Sequence, residues 1–142
     1  MIVVDFNIIV YLLTATPQRE SARRVRERDR DWLVPSLWRH EMLNVLATLT
    51  RQDVLDAASA LTVWRNALAL LGTSERQPDM EDTLSLAIEH GISAYDAQYV
   101  ALAASLGVSL VSEDKKLQRL LPDRVVSMTD FAAPTPSGGD SE

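Results

Sequence analysis

The opening run Met-Ile-Val-Val-Asp-Phe-Asn constrains this chain most, because it reads as a short strand that stops on a carboxylate. Ile2, Val3 and Val4 are apolar without polar alternation, the pattern of a strand covered on both faces of a sheet. Asp5 stands where that strand ends. Ligands of open α/β sheets collect outside the carboxyl ends of the strands, which makes Asp5 a site candidate. A second reading stays open: Asp5 or Asn7 caps the helix that follows.

The rest of the chain alternates helical and strand patterns. A helix is expected over 8–14, a second from near Pro17 to about Arg30, and a short strand over 32–34 closed by Pro35. Ser36 then reads as the cap of a long helix over 37–51, and another helix over 53–71 follows almost at once, giving an antiparallel helical hairpin. In that second helix Ala57, Leu61, Trp64, Leu68 and Leu71 recur at helical spacing, while Leu55, Val63 and Leu70 lie elsewhere around it. Apolar residues on more than one side point either to a homodimer surface or to burial within the monomer. Gly72 ends the helix and 73–78 is a loop. A helix over Met80–His90 is expected to turn Leu84, Ala87 and Ile88 inward, and one over 93–106 stops at Gly107. A strand over 108–112, a short helix over 114–121 and a last strand over 124–128 complete the pattern. Residues 1–133 read as one domain and 134–142 as a disordered tail that has nothing to bury. Short apolar strands alternating with helices predict an α/β sandwich, a mostly parallel sheet flanked by helices on both faces.

Composition removes several chemistries. With no cysteine the chain has no disulfide, thiol nucleophile or thiolate zinc site, which fits a cytoplasmic location. No basic region precedes the first apolar run, so no secretion signal is expected. The longest low-charge run, 97–112, is shorter than the ~20 residues of a membrane span and is broken by Gly107. A net charge of −6 argues against a surface built for general nucleic-acid binding. Between positions 19 and 31, however, six arginines face four acids. Arg19, Arg23 and Arg24 could touch a polyanion there, or the segment is a solvated face with Glu20 and Arg24 at salt-bridge spacing.

Three further acids stand where an ordinary surface acid would not. Glu41 falls within the stripe formed by Leu37, Trp38, Met42, Val45, Leu46 and Leu49, one turn after Leu37 and one before Val45. An inward carboxylate is costly unless paired, protonated or bound to a cation, and neither Arg39 nor His40 shares its face. Asp96 completes a Ser93-Ala-Tyr-Asp96 capping pattern, yet it also lies beside the stripe of Tyr99, Val100 and Ala103. Asp114 can cap the helix after its strand, and it stands at a strand's carboxyl end as Asp5 does. Together the four acids converge on one rim of the sheet.

Four segments then carry a resemblance: Ile2-Val-Val-Asp-Phe-Asn-Ile-Ile, His40-Glu-Met-Leu-Asn-Val-Leu, Ala94-Tyr-Asp-Ala-Gln-Tyr-Val-Ala-Leu-Ala and Leu110-Val-Ser-Glu-Asp-Lys-Lys-Leu. In order and spacing they resemble the PIN-domain ribonucleases, most closely the VapC-like toxins of bacterial toxin–antitoxin pairs. The resemblance runs from about Met1 to Phe131 and implies a PIN-like three-layer sandwich. It implies that Asp5, Glu41, Asp96 and Asp114 are catalytic metal ligands, with Asn7 and Ser112 in support. It also implies Mg²⁺ or Mn²⁺ as cofactor, RNA as substrate of an endoribonuclease, and a cognate antitoxin that covers the cleft. Hard divalent cations take oxygen ligands and relieve the repulsion among crowded carboxylates. Phe6 departs from the small residue usual at its position. The alternative is therefore a weak or inactive PIN-like domain kept for protein interaction. A haloacid-dehalogenase-type phosphotransferase would need a second aspartate where Asn7 stands, and a receiver domain would need paired acids that Asp5-Phe6 lacks.

Overall fold

A computed structural model describes residues 1–134 of the chain. The expected tail, 134–142, lies outside these residues apart from Pro134. The elements follow in the order β1 (Ile2–Val4), α1 (Phe6–Leu13), α2 (Arg19–Arg28), β2 (Trp32–Leu33), α3 (Trp38–Arg51), α4 (Ala57–Leu71), α5 (Met80–His90) and α6 (Ala94–Leu106). β3 (Leu110–Val111), α7 (Lys115–Leu120), β4 (Val125–Val126) and α8 (Met128–Ala132) complete them.

The four strands form one wholly parallel sheet in the order β2-β1-β3-β4. Register sorts the side chains by face. Ile2, Val4, Trp32 and Val111 join the core made with α1, α2, α3 and α4, whereas Val3, Leu33, Leu110 and Val125 join the core made with α6 and Leu117 of α7. Both faces of every strand are thus covered. The apolar run of β1 has this cause, and the result is the expected three-layer α/β sandwich.

Chain order reverses at the middle of the sheet: from β1 the chain goes first to β2 on one side and later to β3 on the other. The carboxyl ends of β1 and β3 therefore flank a topological switch point, the crevice where α/β sheets hold ligands. Asp5 follows β1 there and Ser112 follows β3.

Several local expectations need correction. Ser36 does not cap the long helix: Leu37 holds the cap position in helical geometry, with no side-chain bond. The helix expected from 53 starts at Ala57, because Asp53 takes a left-handed φ of 59° and Asp56 supplies the cap, its Oδ1 accepting Ser59 N–H at 2.7 Å. Leu84 and Ile88 do not turn inward. They are 58% and 73% exposed, while Thr83 is buried and Leu86 and Ala87 pack on the α6 side. Met80, Leu84 and Ile88 share a perfect helical spacing, but so do Thr83, Leu86 and Ala87, and contact with α6 selects the second set. The loop 73–78 is anchored as well: Glu75 bridges Val34, and its carboxylate accepts Trp38 Nε1–H at 2.6 Å and Arg39 Nε–H at 2.6 Å. Trp38 also stacks on Trp64 at 5.6 Å, so the start of α3 is held from two sides. Finally, Met128 belongs to a helix, α8, and not to the last strand, since Ser127 accepts Asp130 N–H and starts a turn.

Candidate active site

Asp5 is the residue from which the site is built. It occupies the N-cap position of α1 in extended geometry, but its side chain makes no capping bond. The carboxylate turns instead toward β3, where Oδ2 accepts the Ser112 hydroxyl at 2.9 Å. Ser112 Oγ in turn accepts Asp114 N–H at 3.1 Å, so one buried hydroxyl joins the ends of β1 and β3. Asp114 performs the expected capping as well, its Oδ1 accepting Leu117 N–H at 3.0 Å. Cap and site readings are compatible, because one carboxylate has more lone pairs than a single cap uses.

Glu41 enters from the other core. It lies in the first turn of α3, and its Oε1 accepts the Tyr99 hydroxyl at 2.6 Å. The partner that this inward carboxylate requires is therefore a neutral phenol of α6, not a cation. Arg39, its near neighbour in sequence, is committed to Glu75. Asp96 sits one turn before Tyr99 on α6, with its backbone N–H donating to Ser93 Oγ at 3.0 Å. The capping half of the Ser93 pattern is thus present, while the carboxylate remains part of the acid group.

The electrostatics tie these acids together. Burial pushes Asp5 up to about 6, against the lowering effect of the Ser112 bond, and the charges of Asp96 and Asp114 raise it further. Glu41 is pushed up to about 7, first by burial, with the Tyr99 bond opposing and the charges of Asp5 and Asp96 adding. Asp96 is raised by burial and by Asp114, partly offset by Ser93 and Lys116. Among the described residues no lysine or arginine forms an ion pair with Asp5, Glu41, Asp96 or Asp114.

A cleft of about 200 Å³ opens here, lined by Asp5, Asn7, Tyr11, Asp96, Glu113 and Asp114 and bordered by Phe6. Asn7 thus lies on the cleft wall, whereas Glu41 and Ser112 do not line it. Phe6 packs against both apolar cores, so its bulk fills the junction beneath the rim. Tyr11, Tyr99 and Glu113 were missed by sequence reasoning. Glu113 was legible as an acid beside Asp114, but its Oε2 accepts Met128 N–H at 2.8 Å and fastens α8. Tyr99 looked apolar because it keeps the core spacing. Arg19, Arg23 and Arg24 are exposed on α2, and none lines this cleft. Arg24 borders a separate hollow beside α8. Two other arginines of the segment cover aromatic rings, Arg26 over Trp32 at 5.0 Å and Arg28 over Phe131 at 5.8 Å.

The donor set fits a hard divalent cation. Its oxygens are carboxylates that raise one another's affinity for positive charge, and it contains no soft ligand. Among the described residues, no three acid or imidazole groups form a ready cage on protein atoms alone.

The chain matches the PIN domain model over residues 2–120. It is 31% identical over 125 residues to Ribonuclease VapC3 of Pyrobaculum aerophilum, covering 85% of this chain and 95% of the relative. Exonuclease VapC9 of the same organism is 32% identical over 78 residues, 55% of this chain and 58% of the relative. Among solved structures, PAE2754 from Pyrobaculum aerophilum superposes with a TM-score of 0.73 at 22% identity, covering 94% of this chain and 97% of that one. FitAcB from Neisseria gonorrhoeae superposes at 0.67 with 19% identity, covering 90% and 98%. These two likenesses show the fold.

Proposed function

The chain belongs to the PIN-domain family, and from that premise we propose that it is the ribonuclease toxin of a toxin–antitoxin pair. The observation that carries the reading is the electrostatic coupling of Asp5, Glu41, Asp96 and Asp114 at the switch point, where among the described residues none of them forms an ion pair and only the charge of Lys116 opposes, at Asp96. In this reading residues 1–133 are the catalytic unit. Asp5, Glu41, Asp96 and Asp114 hold Mg²⁺ or Mn²⁺, and Ser112 aims the Asp5 carboxylate into the cleft. When bound, the cation supplies Lewis-acid polarisation of the phosphodiester and a more acidic water for hydrolysis. Asn7, neutral and on the cleft wall, offers a donor to a phosphate oxygen where another acid would repel it.

Cleavage within the strand is proposed over removal of terminal nucleotides. The name of VapC9 makes the alternative concrete, and a circular RNA separates the two, since only an endonuclease opens it. The reading places the protein in the cytoplasm with an antitoxin that covers the cleft. Among the described residues no helix is long and apolar enough to cross a membrane. A homodimer is part of the proposal too, its support being the apolar groove between α3 and α4 where Leu43, Leu61 and Trp64 meet. Arg19, Arg23 and Arg24, none of which lines the cleft, are proposed to touch only RNA that extends outside it.

The testing substitution is Asp5→Asn. It should abolish metal-dependent RNA cleavage while circular dichroism shows the fold retained; full activity would reject the assignment. An inactive interaction module would show no metal-dependent cleavage in the unaltered chain either.

A further inference from the structure

We propose that Tyr99 is a positioning residue of the site, whose hydroxyl fixes the Glu41 carboxylate for cation binding, an inference that rests on the metal-dependent reading above. Tyr99 is 2% exposed and belongs to the core of the α6 side, while Glu41 rides on α3 beside Met42 of the opposite core. Their 2.6 Å bond therefore spans the two packed halves of the molecule and joins residues 58 positions apart. A hydroxyl donating to a carboxylate at this length is a charge-assisted bond, stronger and more directional than a neutral one. The phenol has few rotatable bonds and its ring is locked by packing, so the direction of the hydroxyl follows from the backbone of α6. Asp96 lies one turn earlier on the same helix.

One rigid element thus sets the spacing between its own acid and the acid of α3. Oε1 of Glu41 is occupied by the phenol, and Oε2 has no protein donor among the described residues. The bond leaves one defined oxygen of Glu41, a residue that does not itself line the cleft of about 200 Å³, without a protein donor among the described residues. Without it a glutamate, with three side-chain torsions, has to be ordered by the cation itself, and that ordering subtracts from affinity.

Mn²⁺ binding to the purified chain, read by water-proton relaxation, tests this without reference to activity. Tyr99→Phe removes one oxygen and keeps the ring. Its Mn²⁺ affinity should fall by about tenfold or more, the usual effect of losing a group that orients a ligand. Unchanged affinity would overturn the inference, whatever happens to thermal stability. Glu41→Ala and Glu41→Ala/Tyr99→Phe both lack the carboxylate, so neither leaves it unpaired, and the double variant removes the hydroxyl as well. These two should bind Mn²⁺ equally weakly, whereas a further loss in the double variant would mean that Tyr99 acts through something other than Glu41. Asp5→Asn, measured alongside, separates the levels. If the unaltered chain binds Mn²⁺, Asp5→Asn loses it and Tyr99→Phe keeps it, only the role of Tyr99 fails; if the unaltered chain binds none, both readings fail.

Discussion

Asp5 shows how one residue carries two readings and the fold chooses between them. It sits at the start of a helix, as a cap would, yet its carboxylate points across to Ser112. The cost of that choice is measurable. In the metal-free chain Asp5 moves from 3.8 to about 6, and Glu41 from 4.5 to about 7, burial being the first cause in each. Between the unfolded and folded values the folded chain holds more protons, so stability is greatest below that window and falls as pH rises through it. Thermal melts in chelator should therefore give a falling Tm from about pH 4 to about pH 7, and Asp5→Asn should flatten the slope. An equal slope in the variant would contradict the assignment. Glu75 acts in the opposite direction, its bond with Arg39 holding it below the usual carboxylate range, so its contribution is lost only at more acid pH.

Helix α6 delivers Asp96 and Tyr99 to the site, and much of it was legible. Ser93 marks its start, Gly107 its end, and Asp96 stood out beside an apolar stripe. Gly107 adopts φ 66°, a left-handed conformation that costs a residue with a Cβ. Gly107→Ala should lower stability in urea by about 1–2 kcal/mol and leave cleavage unchanged; an unaltered midpoint would show that the helix does not depend on this stop. The strands were placed correctly but are shorter than their apolar runs, because only two or three residues of each pair in the sheet. What stayed hidden depends on neighbours. The apolar spacing of α5 supports two faces, and only contact with α6 decides that Leu84 and Ile88 stay outside. Tyr99 obeys the core pattern, so its hydroxyl had no reason to be counted until α3 came within reach.

Across the whole molecule the parallel sheet separates two cores, and the site is where they are joined beyond the carboxyl ends of the central strands β1 and β3. Glu41 comes from one side, Asp96 and Tyr99 from the other, and Asp5 with Ser112 from the sheet between them. An ion held there binds the folded chain and not the unfolded one. At a concentration about 100 times its Kd it should stabilise the protein by about 2.7 kcal/mol, seen as a rise in Tm that chelator reverses. Asp5→Asn should lose most of that rise, and a rise that persists in it would place the ion elsewhere. The decisive observation is an anomalous difference map from a crystal soaked in Mn²⁺. A peak among Asp5, Glu41, Asp96 and Asp114 is the predicted result; a cleft without one, at a soak that saturates the protein in solution, would contradict it.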